Sequence, residues 1–201
     1  MYTRIISPTQ FITMPWKNGL GKTIELLLQP ASERDPNPGF LWRLSIASVI
    51  EGGAFSDFKG YQRTLTLLEG NGITLRYDDL SEDTLRNPLQ KAHFNGDAST
   101  QATLHQGPVK DFNVIARRDA CTAMVNNFTH ASQQSLALDA DECFVYAHKA
   151  SAVIHMEGME NIELAAGHLL VLGGAKRTKL ALTADAAIVV QISHHQGEMG
   201  R

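Results

Sequence analysis

The chain has 201 residues, 43% hydrophobic and 19% charged, enough for one sizeable core or two small adjoining ones without disulfide staples. A net charge of -3 at pH 7 supplies no broad basic surface, so neither nucleic acid nor an anionic membrane is expected as the main partner. Two cysteines outside any CxxC spacing, Cys121 and Cys143, make no disulfide framework, and with the polar start Met1–Gln10 they point to a cytoplasmic protein.

Short apolar runs separated by Gly, Asn, Asp and Pro recur along the whole length, and sustained helical periodicity is scarce, which predicts an all-β protein. The expected strands are 23–29, 41–50, 61–69, 73–77, 102–105, 111–116, 121–128, 142–148, 152–155, 169–172, 179–183 and 187–192. So many short strands suggest sandwiches or barrels. Residues 31–39 read as a loop, 80–88 as the place for a helical turn, and 193–201 as a fraying tail. A rough echo between residues 68–75 and 154–158 suggests a small β-barrel in each half, 1–118 and 119–201, the two closely packed as one unit.

The first informative segment is Met14-Pro15-Trp16-Lys17-Asn18-Gly19-Leu20-Gly21-Lys22-Thr23-Ile24-Glu25, which sets polar side chains around glycines just before a strand. Gly19 and Gly21 permit a tight turn that offers backbone amides, either to a ligand or simply as a hairpin. Gly21-Lys22-Thr23 resembles the end of a phosphate-binding loop, but the glycine required upstream is missing and a strand follows. Along strand 23–29, alternation puts Thr23, Glu25 and Leu27 on one face; along 41–50 it puts Arg43, Ser45 and Ala47 opposite Trp42, Leu44 and Ile46. Arg43 beside Glu25 would orient an acidic ligand inside a barrel mouth or form a solvent-facing ion pair.

Residues 52–64, rich in Gly and aromatics, have cupin-like spacing, yet Phe55, Ser56, Asp57 and Phe58 stand where a metal cupin places a histidine pair. The eight histidines are scattered with no His-x-His, so no metal or other cofactor is expected. In strand 111–116, Asp111 and Asn113 share a face, and buried polar groups of this kind either complete a core network or line a pocket. No nucleophile motif accompanies Cys121 or Cys143, which read as packed thiols.

Taken together, Pro15-Trp16-Lys17-Asn18-Gly19, Thr23-Ile24-Glu25, Trp42-Arg43-Leu44-Ser45-Ile46-Ala47, Phe55-Ser56-x-Phe58-x-Gly60, Arg63-Thr64-Leu65, Leu68-Glu69-Gly70 and Asp111-Phe112-Asn113 with Arg117 resemble the HutD/Ves family of the cupin superfamily. The resemblance spans the first two thirds of the chain; the last third matches in its β rhythm. It implies a bacterial bicupin of two packed jelly-roll barrels, associated with histidine utilisation for HutD members and with cold or environmental stress for Ves members. Where the family often runs glycines after Asn, this chain has Gly19-Leu20-Gly21, so Leu20 reshapes the loop. The pocket group carried over is Trp16, Lys17, Asn18, Thr23, Glu25, Arg43, Ser45, Arg63, Asp111 and Asn113.

The resulting expectation is a metal-independent binder of a small anionic metabolite of the urocanate or N-formylglutamate class. Its rival is a metal-free hydrolase or isomerase with Glu25 or Asp111 as general base. A third reading is a structural homodimer with strands paired across its interface.

Overall fold

The computed structural model describes residues 1–33, 35–78, 80–129 and 133–195. The strands of the first part of the chain are β1 (Tyr2–Ile6), β2 (Ile12–Pro15), β3 (Gly21–Pro30), β4 (Phe40–Val49), β5 (Gly53–Ala54), β6 (Tyr61–Glu69), β7 (Ile73–Tyr77), β8 (Ser81–Leu85), β9 (Lys91–Asn95), β10 (Thr100–Leu104) and β11 (Val109–Arg117). They are followed by β12 (Cys121–Phe128), β13 (Gln134–Leu138), β14 (Glu142–Ala147), β15 (Ala152–Met156), β16 (Ile162–Leu164), β17 (Leu169–Gly173), β18 (Thr178–Thr183) and β19 (Ala187–His194). The fold is all-β and cupin-like, and its strand pairs are antiparallel.

Two compact units divide the chain. The unit Phe11–Asp119 holds a six-stranded sheet, β2-β3-β4-β11-β6-β9, and a four-stranded sheet, β5-β10-β7-β8. Apolar side chains from both sheets fill its core, with Leu65, Leu67, Ile73 and Leu75 wholly removed from solvent. The other unit, Met1–Gln10 with Ala120–Arg201, holds β1-β17-β14-β19-β12 and β13-β18-β15-β16 around Val145, Leu170, Leu172 and Leu180. In each unit, alternation turns one side chain in two toward an apolar interior, and that burial supplies the main driving force.

Four details depart from the sequence expectations. The first ten residues belong with the second unit rather than with 11–118, because β1 pairs along its whole length with β17, from Tyr2 opposite Gly173 to Ile6 opposite Leu169. The helical turn expected within 80–88 is strand β8, which pairs with β7 and turns Leu85 inward while Asp83 accepts a hydrogen bond from the Tyr77 hydroxyl at 2.9 Å. Ser193 and His194, expected in a fraying tail, close β19 opposite Thr122 and Cys121, whereas 196–201 lie outside the described residues, as does His130. A bulge in β3 pairs Glu25 with Ser45 but Leu27 with Leu44. Leu26 is the extra residue, so Leu27 points away from the face that carries Thr23 and Glu25.

Among the described residues no helix is long and apolar enough to cross a membrane.

Candidate functional site

Three rows of side chains cross the inner face of the six-stranded sheet. Strand register aligns Thr23, Ala47, Asp111 and Leu67 in the first row, and Glu25, Ser45, Asn113 and Leu65 in the second. The third row is Leu28, Arg43, Ile115, Arg63 and Phe94. Strands β4, β11 and β6 lie side by side, so residues distant in sequence stand about 5 Å apart on one face. Above these rows is a cavity of about 480 Å³, of a size to take a small metabolite. It lies within the unit Phe11–Asp119.

Two guanidiniums dominate this cavity. Arg63 is 5% exposed; its Nη1 donates to the Ser56 carbonyl at 3.2 Å and its Nη2 to Asn113 Oδ1 at 3.4 Å. Its charge lies over the rings of Phe94 at 4.9 Å, Phe58 at 5.1 Å and Phe55 at 5.5 Å. Arg43 sits over Phe58 at 5.2 Å and Phe40 at 5.3 Å. Aromatic faces attract these cations without neutralising them. Among the described residues neither guanidinium has a carboxylate at ion-pair distance, and the Nε atoms of both are buried without a hydrogen-bond partner.

The electrostatics follow from this burial. Burial pulls Arg63 down to about 10, with Asp111 opposing and Arg43 assisting, so the guanidinium stays charged at neutral pH. Arg43 is shifted down for the same reason, with Glu25 acting against the shift. Asp111, wholly buried, is pushed up to about 7 by desolvation, against the pull of Arg63 and of its bond with Asn113. One oxygen of Asp111 accepts from Asn113 Nδ2, while Oδ2 has no partner among the described residues.

The rim of the cavity is the β2–β3 hairpin. Trp16 accepts and donates across it: its amide bonds the Gly21 carbonyl at 2.9 Å, and its carbonyl takes the Gly19 amide at 3.0 Å. Its indole Nε1 donates to Thr23 Oγ1 at 2.9 Å, which pins the ring beside the pocket. Gly19 has φ +73°, a left-handed turn position suited to glycine, and Asn18 Oδ1 caps the Leu20 amide at 3.0 Å. Lys17 and Asn18 are exposed on this rim.

The HutD family profile matches residues 9–190. The chain belongs to the HutD family. It is 33% identical over 157 residues to an uncharacterised 21.2 kDa protein from the hutC 3' region of Pseudomonas putida, covering 78% of this chain and 80% of that one. With protein Ves of Escherichia fergusonii it shares 40% identity over 111 residues, 55% of this chain and 56% of Ves. The solved structure of HutD from Pseudomonas fluorescens SBW25, obtained in a formate condition, superposes with a TM-score of 0.82 at 28% identity, over 97% of this chain and 100% of that one.

Within this HutD-family fold, eight of the ten residues singled out on sequence line the cavity: Trp16, Lys17, Asn18, Thr23, Arg43, Ser45, Arg63 and Asn113. Glu25 and Asp111 do not. Glu25 acts on Arg43 through its charge, and Asp111 accepts a hydrogen bond from Asn113 without lining the cavity itself. Of the two alternatives for the pair on β11, Asp111 therefore completes a buried network, while Asn113 both joins that network and reaches the cavity. Sequence reasoning missed the wall formed by Ala54, Phe55, Ser56, Phe58 and Ile115. On sequence, Phe55 to Phe58 read as a family block and as the place where a metal cupin's histidines are missing, not as a pocket wall, although aromatics flanking a strand arginine are themselves a sign of a held cation.

The donor set does not suit a metal: among the described residues no three His, Cys, Asp or Glu side chains stand together, and the cavity walls are guanidinium, aromatic and amide. Burial pushes the Cys143 thiol up to about 12, which leaves it protonated and packed.

Proposed function

We propose that this HutD-family protein is a metal-independent cytoplasmic receptor for a small anionic metabolite of the urocanate or N-formylglutamate class. Its occupancy would moderate histidine utilisation or a stress response, the associations that HutD and Ves membership suggest. The observation that carries the reading is the pair of guanidiniums, Arg43 and Arg63, held on aromatic faces in one cavity with no carboxylate at ion-pair distance among the described residues. A cation withdrawn from water with no carboxylate in direct contact is unfavourable, and a small anion seated in the cavity supplies that counter-charge. Ser45, Asn113 and Thr23 add neutral hydrogen-bonding groups, and the Trp16 indole adds an apolar face. The hydrolase or isomerase alternative has weaker support, because a general base must reach the substrate and neither Glu25 nor Asp111 lines the cavity.

The test is thermal unfolding of chelator-treated protein against urocanate, N-formylglutamate and unrelated carboxylates, with Arg43→Ala alongside. Ligand at a hundred times its Kd adds roughly 2.7 kcal/mol if only the folded state binds. For a chain of this length that raises Tm by about 5 to 10 °C. A shift confined to one acid and lost in Arg43→Ala is the expected result, and no shift with any acid would sink the proposal.

A further inference from the structure

Asp111 has a place in the fold that the binding reading leaves unused. Its carboxylate is fully removed from water and bonded on one oxygen to Asn113 Nδ2; Asn113 Oδ1 in turn accepts from Arg63 Nη2 at 3.4 Å. Asn113 and Arg63 both line the cavity. A continuous polar path thus runs from a core carboxyl with an unpartnered oxygen to the cation on which an anion would sit. The titratable groups on the surrounding elements are Arg43 on β4, Arg63 on β6, Glu25 on β3, Lys17 on the β2–β3 hairpin, and Tyr77 and Asp83 on β7 and β8 of the other sheet. Burial and its bond to Asp83 raise Tyr77 and keep it neutral, and Arg63 is the cation whose charge favours ionised Asp111.

An anion seated on Arg63 offsets that favourable charge, while the desolvation of Asp111 remains. We propose that anion binding to this cavity is coupled to uptake of one proton by Asp111, so that the protein accepts a small acid as anion plus proton. The coupling rests on the anion-binding reading of the cavity and adds a proton to its stoichiometry. Burial has already brought Asp111 to about 7, so in the free protein the carboxyl is partly ionised near neutral pH, where a rise on binding is visible.

The sign follows from linkage. Well below about 7, Asp111 already carries its proton in the free protein, no proton is taken up, and affinity is flat and highest. Above that pH the bound state holds more protons than the free state, so affinity falls as pH rises, by up to about tenfold per pH unit, until the raised bound-state value is passed.

The experiment is isothermal titration calorimetry with N-formylglutamate and with formate from about pH 6 to about pH 9, in paired buffers of different ionisation enthalpy. Both probes are fully ionised across that range, so any proton taken up goes to the protein. The expected result is uptake approaching one proton above pH 7, with affinity falling in step, and neither effect in Asp111→Asn. Binding with no proton uptake, or uptake unchanged in Asp111→Asn, overturns the coupling and leaves the anion site standing. No binding by any acid even at pH 6 removes the site and the coupling together. Should Asp111→Asn fail to fold, carboxyl carbon-13 NMR of the unaltered protein reads the Asp111 midpoint directly. That midpoint must rise on saturation with N-formylglutamate, and an unmoved midpoint rejects the proposal.

Discussion

Phe58 meets both guanidiniums, at 5.2 Å from half-buried Arg43 and 5.1 Å from buried Arg63, and this double contact explains how two like charges share one cavity. A carboxylate in its place would cancel the charge and leave nothing for a ligand, whereas a ring face holds a cation and leaves its N–H donors free. Phe58→Leu keeps an apolar volume but removes the ring, and should weaken acid binding by about 2- to 30-fold, the equivalent of ~0.5–2 kcal/mol of cation–π attraction. Titration calorimetry checks it, and an affinity equal to that of the parent would show that the rings merely fill space. At this scale Arg43, Ser45 and Asn113 were legible because strict alternation along single strands puts them on one face. The separation of Asp111 from the cavity was not legible, since which residues of one sheet face reach the cavity is a matter of side-chain packing rather than of period.

The β2–β3 hairpin positions the indole, and Gly21 decides how closely. A Cβ there would fall 2.3 Å from the Ser48 carbonyl oxygen and 3.0 Å from the Trp16 ring, so Gly21→Ala forces β3 away from β4 or the indole off its seat. The expected outcome is destabilisation of ~1–3 kcal/mol together with altered near-UV circular dichroism from Trp16. Unchanged unfolding and spectrum would mean that the hairpin gives way without consequence. The twelve strands expected from apolar runs all occur, while β1, β2, β5, β8, β9, β13 and β16 were missed. Most of these are short, and all seven lie at sheet edges. An edge strand such as β2, four residues long and exposed at every position, is too short to show a period, and its neighbours more than its composition make it a strand. The β3 bulge escaped for a related reason: one added residue reverses the alternation after Glu25 without changing composition.

For the whole molecule, a family resemblance carried by blocks from the first two thirds of the chain extends across residues 9–190, and the all-β expectation follows from short apolar runs between turn residues and the scarcity of helical periodicity. Unit membership of the first ten residues could not be read, because β1 contributes mainly backbone hydrogen bonds and one buried side chain, Ile6. Deleting residues 2–6 would bare the edge of β17 and forfeit at least ~2 kcal/mol from Ile6 alone, about 4 to 8 °C in Tm. Differential scanning calorimetry measures it, and a Tm equal to that of the full chain would show that β1 is dispensable. The same pairing sets a schedule for biosynthesis. At about 5–20 residues per second, β1 leaves the ribosome on the order of ten to thirty seconds before the partner it must join, with the whole of Phe11–Asp119 made in between. One unit can therefore mature during translation while the other waits on a strand already made, and this closure between the chain's first and late segments is where a chaperone or a slow ribosome would matter most.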